Sequence, residues 1–139
     1  MSAFLWALLT AGIWGIVPLM EKVALETASP AAGVMVRSLG VVAGLILFSG
    51  VWSPWASVRT MRWSSILLLA GGGLLASFIG QMAFYRALKS GAVSQVTPVA
   101  GAYPLVAALL GWIVLREPLT LSRLLGVVCV VIGVVLLRK

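Results

Sequence analysis

Charge, histidine and cysteine are all scarce in this sequence of 139 residues. Charged residues make up 9% of it, only three residues are acidic, histidine is absent, and Cys129 is the single cysteine. One cysteine cannot form an intrachain disulfide, and without histidine we expect no transition-metal site and no cofactor. The sequence also lacks a phosphate-binding loop, a nucleophile triad and a metal-ligand cluster, so we do not expect an enzyme.

Apolar residues take the place of charge, at 62% of the sequence, and the mean hydropathy is +1.16. Five runs carry no charged side chain: 1–20, 38–58, 63–85, 90–115 and 124–137. A bilayer core of about 30 Å is spanned by roughly 20 apolar residues in a helix. Too little polar sequence remains to cover a soluble core. The pattern therefore predicts an all-α integral membrane protein lying in the lipid bilayer.

Five transmembrane helices are expected in one domain covering residues 1–139. Their predicted bounds are about 3–24, 31–51, 63–88, 92–115 and 120–137, with the intervening 52–62 read as a loop at the membrane interface. The first run has no basic segment before it and no clear cleavage site after it, so we expect a retained helix and not a signal peptide. Three prolines are expected to kink helices or serve as gates: Pro18, Pro98 and Pro104.

The basic residues give a net charge of +7 and are divided almost evenly between the two predicted sides of the membrane. One side has Arg59, Arg62, Arg116 and Arg123, and the other has Lys22, Arg86, Lys89, Arg138 and Lys139. Because the positive-inside bias is nearly absent, the chain is expected to insert in both orientations. The alternative is that a partner subunit or unequal weighting of the loops sets one topology. We expect these charges to contact anionic lipid headgroups and not nucleic acid.

Arg37 is the only basic residue placed well inside a predicted helix, roughly 10 Å from its start. A guanidinium at that depth needs a partner or water. Two interpretations stay open. Arg37 binds a carboxylate or phosphate of a substrate through its planar fork, or it forms an ion pair with Glu21.

Other polar and aromatic side chains define a candidate substrate pathway together with Arg37. The full set is Trp14, Arg37, Ser77, Gln81, Tyr85 and Tyr103. Gln81 and Tyr85 are four residues apart and therefore share a helix face. The first helix has no acidic residue at mid-depth, which argues against a proton/cation antiporter of the smallest multidrug type.

Small residues in the last helix suggest close helix packing. Gly126 and Gly133 are seven residues apart, so they lie on one face and let another backbone approach. From the spacing alone, the partner helix belongs either to the same subunit or to a second one.

Six stretches, taken in order along the chain, carry a resemblance to a known family. They are Trp14-Gly15 with Lys22, Arg37, 84–88 (FYRAL), 91–98 (GAVSQVTP), 115–120 (LREPLT), and Gly126 with Gly133. In this order and spacing they resemble one EamA-type domain of the drug/metabolite transporter superfamily, over the whole sequence.

The resemblance implies a function and an assembly. Most members of the superfamily resemble two such domains in an inverted repeat of ten helices, so a single domain implies an antiparallel homodimer. Gly126 and Gly133 would then form the dimer seam, as in small multidrug resistance relatives. We expect a multi-pass transporter of a bacterial or archaeal inner membrane that exports a small polar or amphipathic metabolite by alternating access. The alternatives are a flippase component for a lipid-linked sugar or phosphate, or an accessory subunit.

Overall fold

All regular structure in the described part of the chain is helical. The computed structural model describes residues 3–52, 55–118 and 120–137. Arg138 and Lys139, which entered the charge count above, lie outside these residues. Four helical stretches are long and apolar enough to cross a bilayer: Leu5–Ala24, Pro30–Val51, Trp63–Ser90 and Val93–Ile113. The shorter apolar helix Leu121–Leu136 follows them. The prediction of an all-helical membrane protein is therefore confirmed.

The chain divides into two compact units, residues 1–89 and 90–139. The first contains α1 (Ala3–Ala24), α2 (Pro30–Trp52), α3 (Trp55–Thr60), α4 (Trp63–Leu74) and α5 (Gln81–Ser90). Helix α1 continues without a break through Pro18. Proline opens α2, at a position where its missing N–H is not needed. Helix α3 lies within the segment that the sequence predicted as a loop, so that prediction was wrong for residues 55–60.

A π-helical segment, Leu75–Gly80, joins α4 directly to α5. The three elements form one continuous helical stretch, but the wider turn changes the register between them. This π segment packs against α2. It also fixes which face of α5 is turned toward the helices of the first unit, because every residue after it is rotated relative to a regular α-helix.

The second unit contains α6 (Val93–Ala100), α7 (Tyr103–Ile113) and α8 (Leu121–Leu136). The sequence predicted one helix over 92–115, interrupted by Pro98 and Pro104. The structure has one apolar stretch here, Val93–Ile113, made of two helices that are separated by a turn at residues 101–102. The N–H of Gly101 closes α6 on the carbonyl of Thr97 at 2.7 Å. Pro104 lies in the first turn of α7, where it favours the start of a new helix over the continuation of α6.

Buried side chains are few and gather at one end of the first unit. Leu25, Val34, Tyr85 and Leu88 are the buried members of the hydrophobic residue types in the described ranges, and Pro18 of α1 is buried as well. Most other large apolar side chains are exposed along the helices. Such a surface is unstable in water and suits lipid, because hydrocarbon solvates apolar side chains well. The small core therefore marks where the helices of this unit are held together by their own contacts.

Gly33 is where α2 comes closest to Tyr85. A Cβ placed on Gly33 would lie 2.8 Å from Cε2 of Tyr85 and 3.3 Å from Cδ2 of Leu25. A methyl group at Gly40, seven residues further along the same helix, would have nothing within 4 Å. Gly33 thus admits the tyrosine ring, while Gly40 leaves open space.

We predict that Gly33→Ala destabilises the protein although alanine favours helices. The added methyl forces the Tyr85 ring to move, at a cost of about 1–3 kcal/mol, which exceeds the helix-propensity gain of about 1 kcal/mol. Gly40→Ala, the matched control, should be neutral or stabilising. Unfolding free energies in detergent measure both. Equal effects of the two variants would contradict the close approach at Gly33.

Candidate polar site of the first unit

The carboxylate of Glu21, in the last turn of α1, is the centre of a polar cluster. Its Oε1 accepts a hydrogen bond from the Tyr85 hydroxyl at 2.7 Å and one from Nε2 of Gln81 at 3.1 Å. Nε of Arg37 lies 3.4 Å from the same oxygen and forms an ion pair with it. One carboxylate oxygen therefore joins α1, α2 and α5.

Local helix geometry explains why these residues meet. Gln81 and Tyr85 stack on one face of α5, since they are one turn apart. Arg37 lies two turns into α2, so its long side chain reaches back toward the end of α1. The Tyr85 ring is only 3% exposed, and this burial fixes the position of its hydroxyl.

The cluster neutralises two charges that apolar surroundings would otherwise penalise. An unpaired ionised side chain within a membrane span costs several kcal/mol, and pairing is the usual compensation. The Glu21 side chain is 11% exposed and that of Arg37 is 38% exposed. The carboxylate is therefore largely enclosed, whereas the guanidinium can still be reached from outside.

Part of each charged group makes no polar contact with the described residues. The contacts of Glu21 all fall on Oε1, and Arg37 uses Nε. Among the described residues, none pairs with Oε2 of Glu21 or with Nη1 and Nη2 of Arg37. The site thus offers one acceptor and a planar pair of donors side by side, which is the arrangement that binds a carboxylate next to a cation.

Two lysines tie the ends of α1 and α5 together beside this cluster. Nζ of Lys22 donates to the carbonyl oxygens of Leu88 at 2.6 Å and Lys89 at 3.4 Å. Nζ of Lys89 in turn donates to the carbonyl of Ala28 at 2.8 Å. Cations at the carboxyl ends of helices satisfy free carbonyls and complement the helix dipole. These contacts hold Glu21 opposite α5.

The predicted pathway residues fall into different places. Arg37, Gln81 and Tyr85 meet at Glu21, which the sequence had offered only as an ion-pair partner of Arg37. Trp14 and Ser77 are exposed, and within the described residues neither forms a hydrogen bond with the cluster. Tyr103 is exposed in the second unit. The convergence of Gln81 and Tyr85 on Glu21 was missed, although their spacing of four residues was the signal for it.

The second unit has a groove of about 530 Å³ between α7 and α8. Its lining is mostly apolar and includes Trp112 and Gly126. Glu117 and Arg123 also line it and form an ion pair at 3.4 Å, with both side chains more than half exposed. A Cβ on Gly126 or Gly133 would have nothing within 4 Å. A methyl group at either glycine would therefore contact no other atom of the described residues.

Metal-binding residue types do not gather in the parts of the chain that the structure describes. No group of three His, Cys, Asp or Glu side chains lies close enough to hold an ion there. The Glu21 cluster contributes a single carboxylate, whereas a hard metal cation takes about six or more oxygen ligands. The arrangement is suited to binding organic ions through hydrogen bonds.

Comparison with known proteins gives one family and two relatives of similar length. The profile of the EamA-like transporter family matches residues 1–139. An uncharacterized transporter in the cobO 3′ region of a Sinorhizobium species is 30% identical over 135 residues, covering 95% of this chain and 93% of that protein. An uncharacterized protein of Methanocaldococcus jannaschii is 27% identical over 139 residues, covering 98% and 96%. No solved structure matches significantly.

We predict strong energetic coupling between Arg37 and Glu21. Arg37→Ala should lower the unfolding free energy by about 1–2 kcal/mol, because it leaves an enclosed carboxylate unpaired. Glu21→Gln made alongside should recover part of that loss, giving a coupling energy of roughly 0.5–3 kcal/mol in a double-mutant cycle.

The exposed pair Arg123 and Glu117 is the matched control, since its atoms are also 3.4 Å apart. Its cycle should give less than about 1 kcal/mol, because solvent or headgroups screen it. Similar coupling energies in the two cycles would show that enclosure by α1, α2 and α5 does not strengthen the interaction between Arg37 and Glu21.

Proposed function

Because this chain belongs to the EamA-like transporter family and is a multi-pass membrane transporter of the drug/metabolite type, we propose that it exports a small polar or amphipathic metabolite by alternating access. The substrate class that the site fits best is an amino-acid-like compound. Such a molecule carries a carboxylate and an ammonium group on neighbouring carbons. Both groups find a counterpart within one cluster of the first unit.

The observation that carries this proposal is the pair of unengaged edges on Arg37 and Glu21. The outer edge of the guanidinium can donate two parallel hydrogen bonds to a carboxylate, and Oε2 of Glu21 can accept a hydrogen bond from an ammonium group. A bound zwitterion would place an opposite charge beside Arg37 and another beside Glu21. Both charges would therefore stay paired while the substrate is bound. Gln81 and Tyr85 hold Glu21 in place while its second oxygen binds.

Assembly as an antiparallel homodimer is part of the proposal. The match to this chain covers 93% and 96% of the two relatives' own lengths. Transporters with inverted repeats bind substrate near the membrane midplane between the two repeats. Two copies in opposite orientations would supply such repeats, and the balanced basic residues permit both orientations. We place the dimer in the inner membrane of a bacterial or archaeal cell.

The seam of this dimer is proposed to lie at Gly126 and Gly133 of α8. Apolar helices gain little from hydrophobicity when they associate in lipid, so close backbone contact is needed. The open space beside both glycines is consistent with a partner helix.

A second candidate function is a flippase component for a lipid-linked sugar or phosphate. The groove between α7 and α8 favours it, because apolar walls suit an acyl or isoprenoid chain and the groove also has a cation, Arg123, in its lining. The first candidate is preferred, since its site has partly enclosed charges held by three helices. A third hypothesis is that the protein is an accessory subunit, which predicts that the isolated chain transports nothing.

We predict that Arg37→Lys weakens substrate binding while the fold survives. Lysine keeps the charge but loses the planar pair of donors, so affinity should fall roughly tenfold. A thermal-shift screen of amino acids, each paired with its methyl ester, would first identify the ligand. The free acid should stabilise the wild type and the ester should not. Arg123→Lys is the control. Equal stabilisation by acid and ester would contradict recognition of a carboxylate.

We also predict that Gly126→Leu combined with Gly133→Leu converts the dimer to a monomer in mild detergent. The leucines keep the helix apolar but hold the backbones apart, which removes close contacts. Helix content should be unchanged by circular dichroism, and transport in liposomes should be lost. A variant that stays dimeric would place the seam elsewhere. A wild type that is monomeric and transports nothing would favour the accessory subunit.

A further inference from the structure

The segment between the spans Pro30–Val51 and Trp63–Ser90 has a distinctive surface. Helix α3 carries Trp55 and Arg59 four residues apart, on one face. Arg62 and Trp63 follow at the start of α4. Trp55 is 65% exposed, Trp63 is 73% exposed, and both arginines are exposed. These four residues are here called the α3 patch.

The two arginines of the α3 patch face no counter-ion among the described residues. The sequence contains no acidic residue between Glu26 and Glu117. Among the residues that the structure describes, neither guanidinium forms an ion pair or a side-chain hydrogen bond, unlike Arg37 and Arg123, which each face a glutamate. Two positive charges are thus exposed, and no side chain in the described ranges balances them.

Charge and aromatic character together identify the partner. The patch directly adjoins the end of one span and the start of another, which places it at the level of the lipid headgroups. Tryptophan prefers that level, because its ring is apolar and its N–H needs a polar neighbour. Arginine at the same level binds phosphate oxygens bidentately. A zwitterionic headgroup carries its own cation, whereas an anionic one leaves its negative charge uncompensated.

We infer that the α3 patch is a binding surface for anionic phospholipid headgroups. Helix α3 lies in the plane of the interface, with the Trp55 and Trp63 rings among the headgroups and with Arg59 and Arg62 on lipid phosphates. This inference is independent of the proposed substrate, because no patch residue belongs to the Glu21 cluster. We expect the α3 patch to bind phosphatidylglycerol more tightly than phosphatidylcholine.

Native mass spectrometry of the full-length protein in a neutral detergent tests the inference. Phosphatidylglycerol and phosphatidylcholine are titrated separately, and the bound fraction gives an apparent affinity for each. The wild type should bind phosphatidylglycerol more tightly. Arg59→Gln with Arg62→Gln should weaken that binding by roughly 30-fold and leave phosphatidylcholine binding unchanged.

Two further variants make the result specific. Arg59→Lys with Arg62→Lys keeps both charges and should retain most of the preference for phosphatidylglycerol. Arg138→Gln with Lys139→Gln removes the same formal charge from the end of the sequence and should change the affinity less than threefold. The inference is overturned if the patch variant binds phosphatidylglycerol as the wild type does, or if the terminal variant loses as much. Equal loss of both lipids would overturn it as well.

Discussion

A single carboxylate oxygen, Oε1 of Glu21, holds the first unit together. It is shared by a tyrosine, a glutamine and an arginine that come from two other helices. In apolar surroundings a charge is tolerated only with its partners in place, so these helices cannot separate without exposing an unpaired ion. The buried residues Leu25, Val34 and Leu88 gather at the same end of the unit. Packing and electrostatics therefore stabilise one arrangement.

In the proposed mechanism, the same interaction would link the fold to transport. A substrate that carries both charges would bind at the unengaged edges of the pair and compensate them in place of water. Occupied and empty states would then differ mainly in how Arg37 and Glu21 share their hydrogen bonds. Because α1, α2 and α5 all contact this pair, a change there reaches three helices at once. That is the kind of coupling between binding and helix position that alternating access requires.

Much of the fold follows from hydropathy, because a bilayer allows few alternatives to apolar helices of about 20 residues. The π segment Leu75–Gly80 could not be predicted, since no residue pattern distinguishes it from a regular α-helix. Helix α3 was missed because its six residues lie in a segment rich in tryptophan and arginine. Such a composition is typical of a loop at the membrane interface. The turn at residues 101–102 follows from Pro104. The sequence predicted that this proline would disturb the helix, but not where the helix would be divided.

The candidate site was predictable in part. The depth of Arg37 in an apolar run indicated that it needs a partner, and Glu21 was the partner proposed, although Glu26 is nearer to Arg37 in sequence. Sequence spacing placed Gln81 and Tyr85 on one face but did not indicate which helix that face meets. Only the packing of α5 against α1 and α2, with Gly33 making room for the tyrosine ring, brings them to Glu21.

The central claim is that two copies in opposite orientations form the transporter, and labelling from each face of the membrane tests it most directly. A chain with Ser57→Cys in a Cys129→Ser background carries one cysteine, exposed on α3. A membrane-impermeant maleimide is applied to right-side-out vesicles and, separately, to inverted vesicles. The account predicts that each preparation labels a substantial fraction of the chains and that the two fractions sum to nearly all of them. Labelling confined to one preparation would contradict the antiparallel dimer.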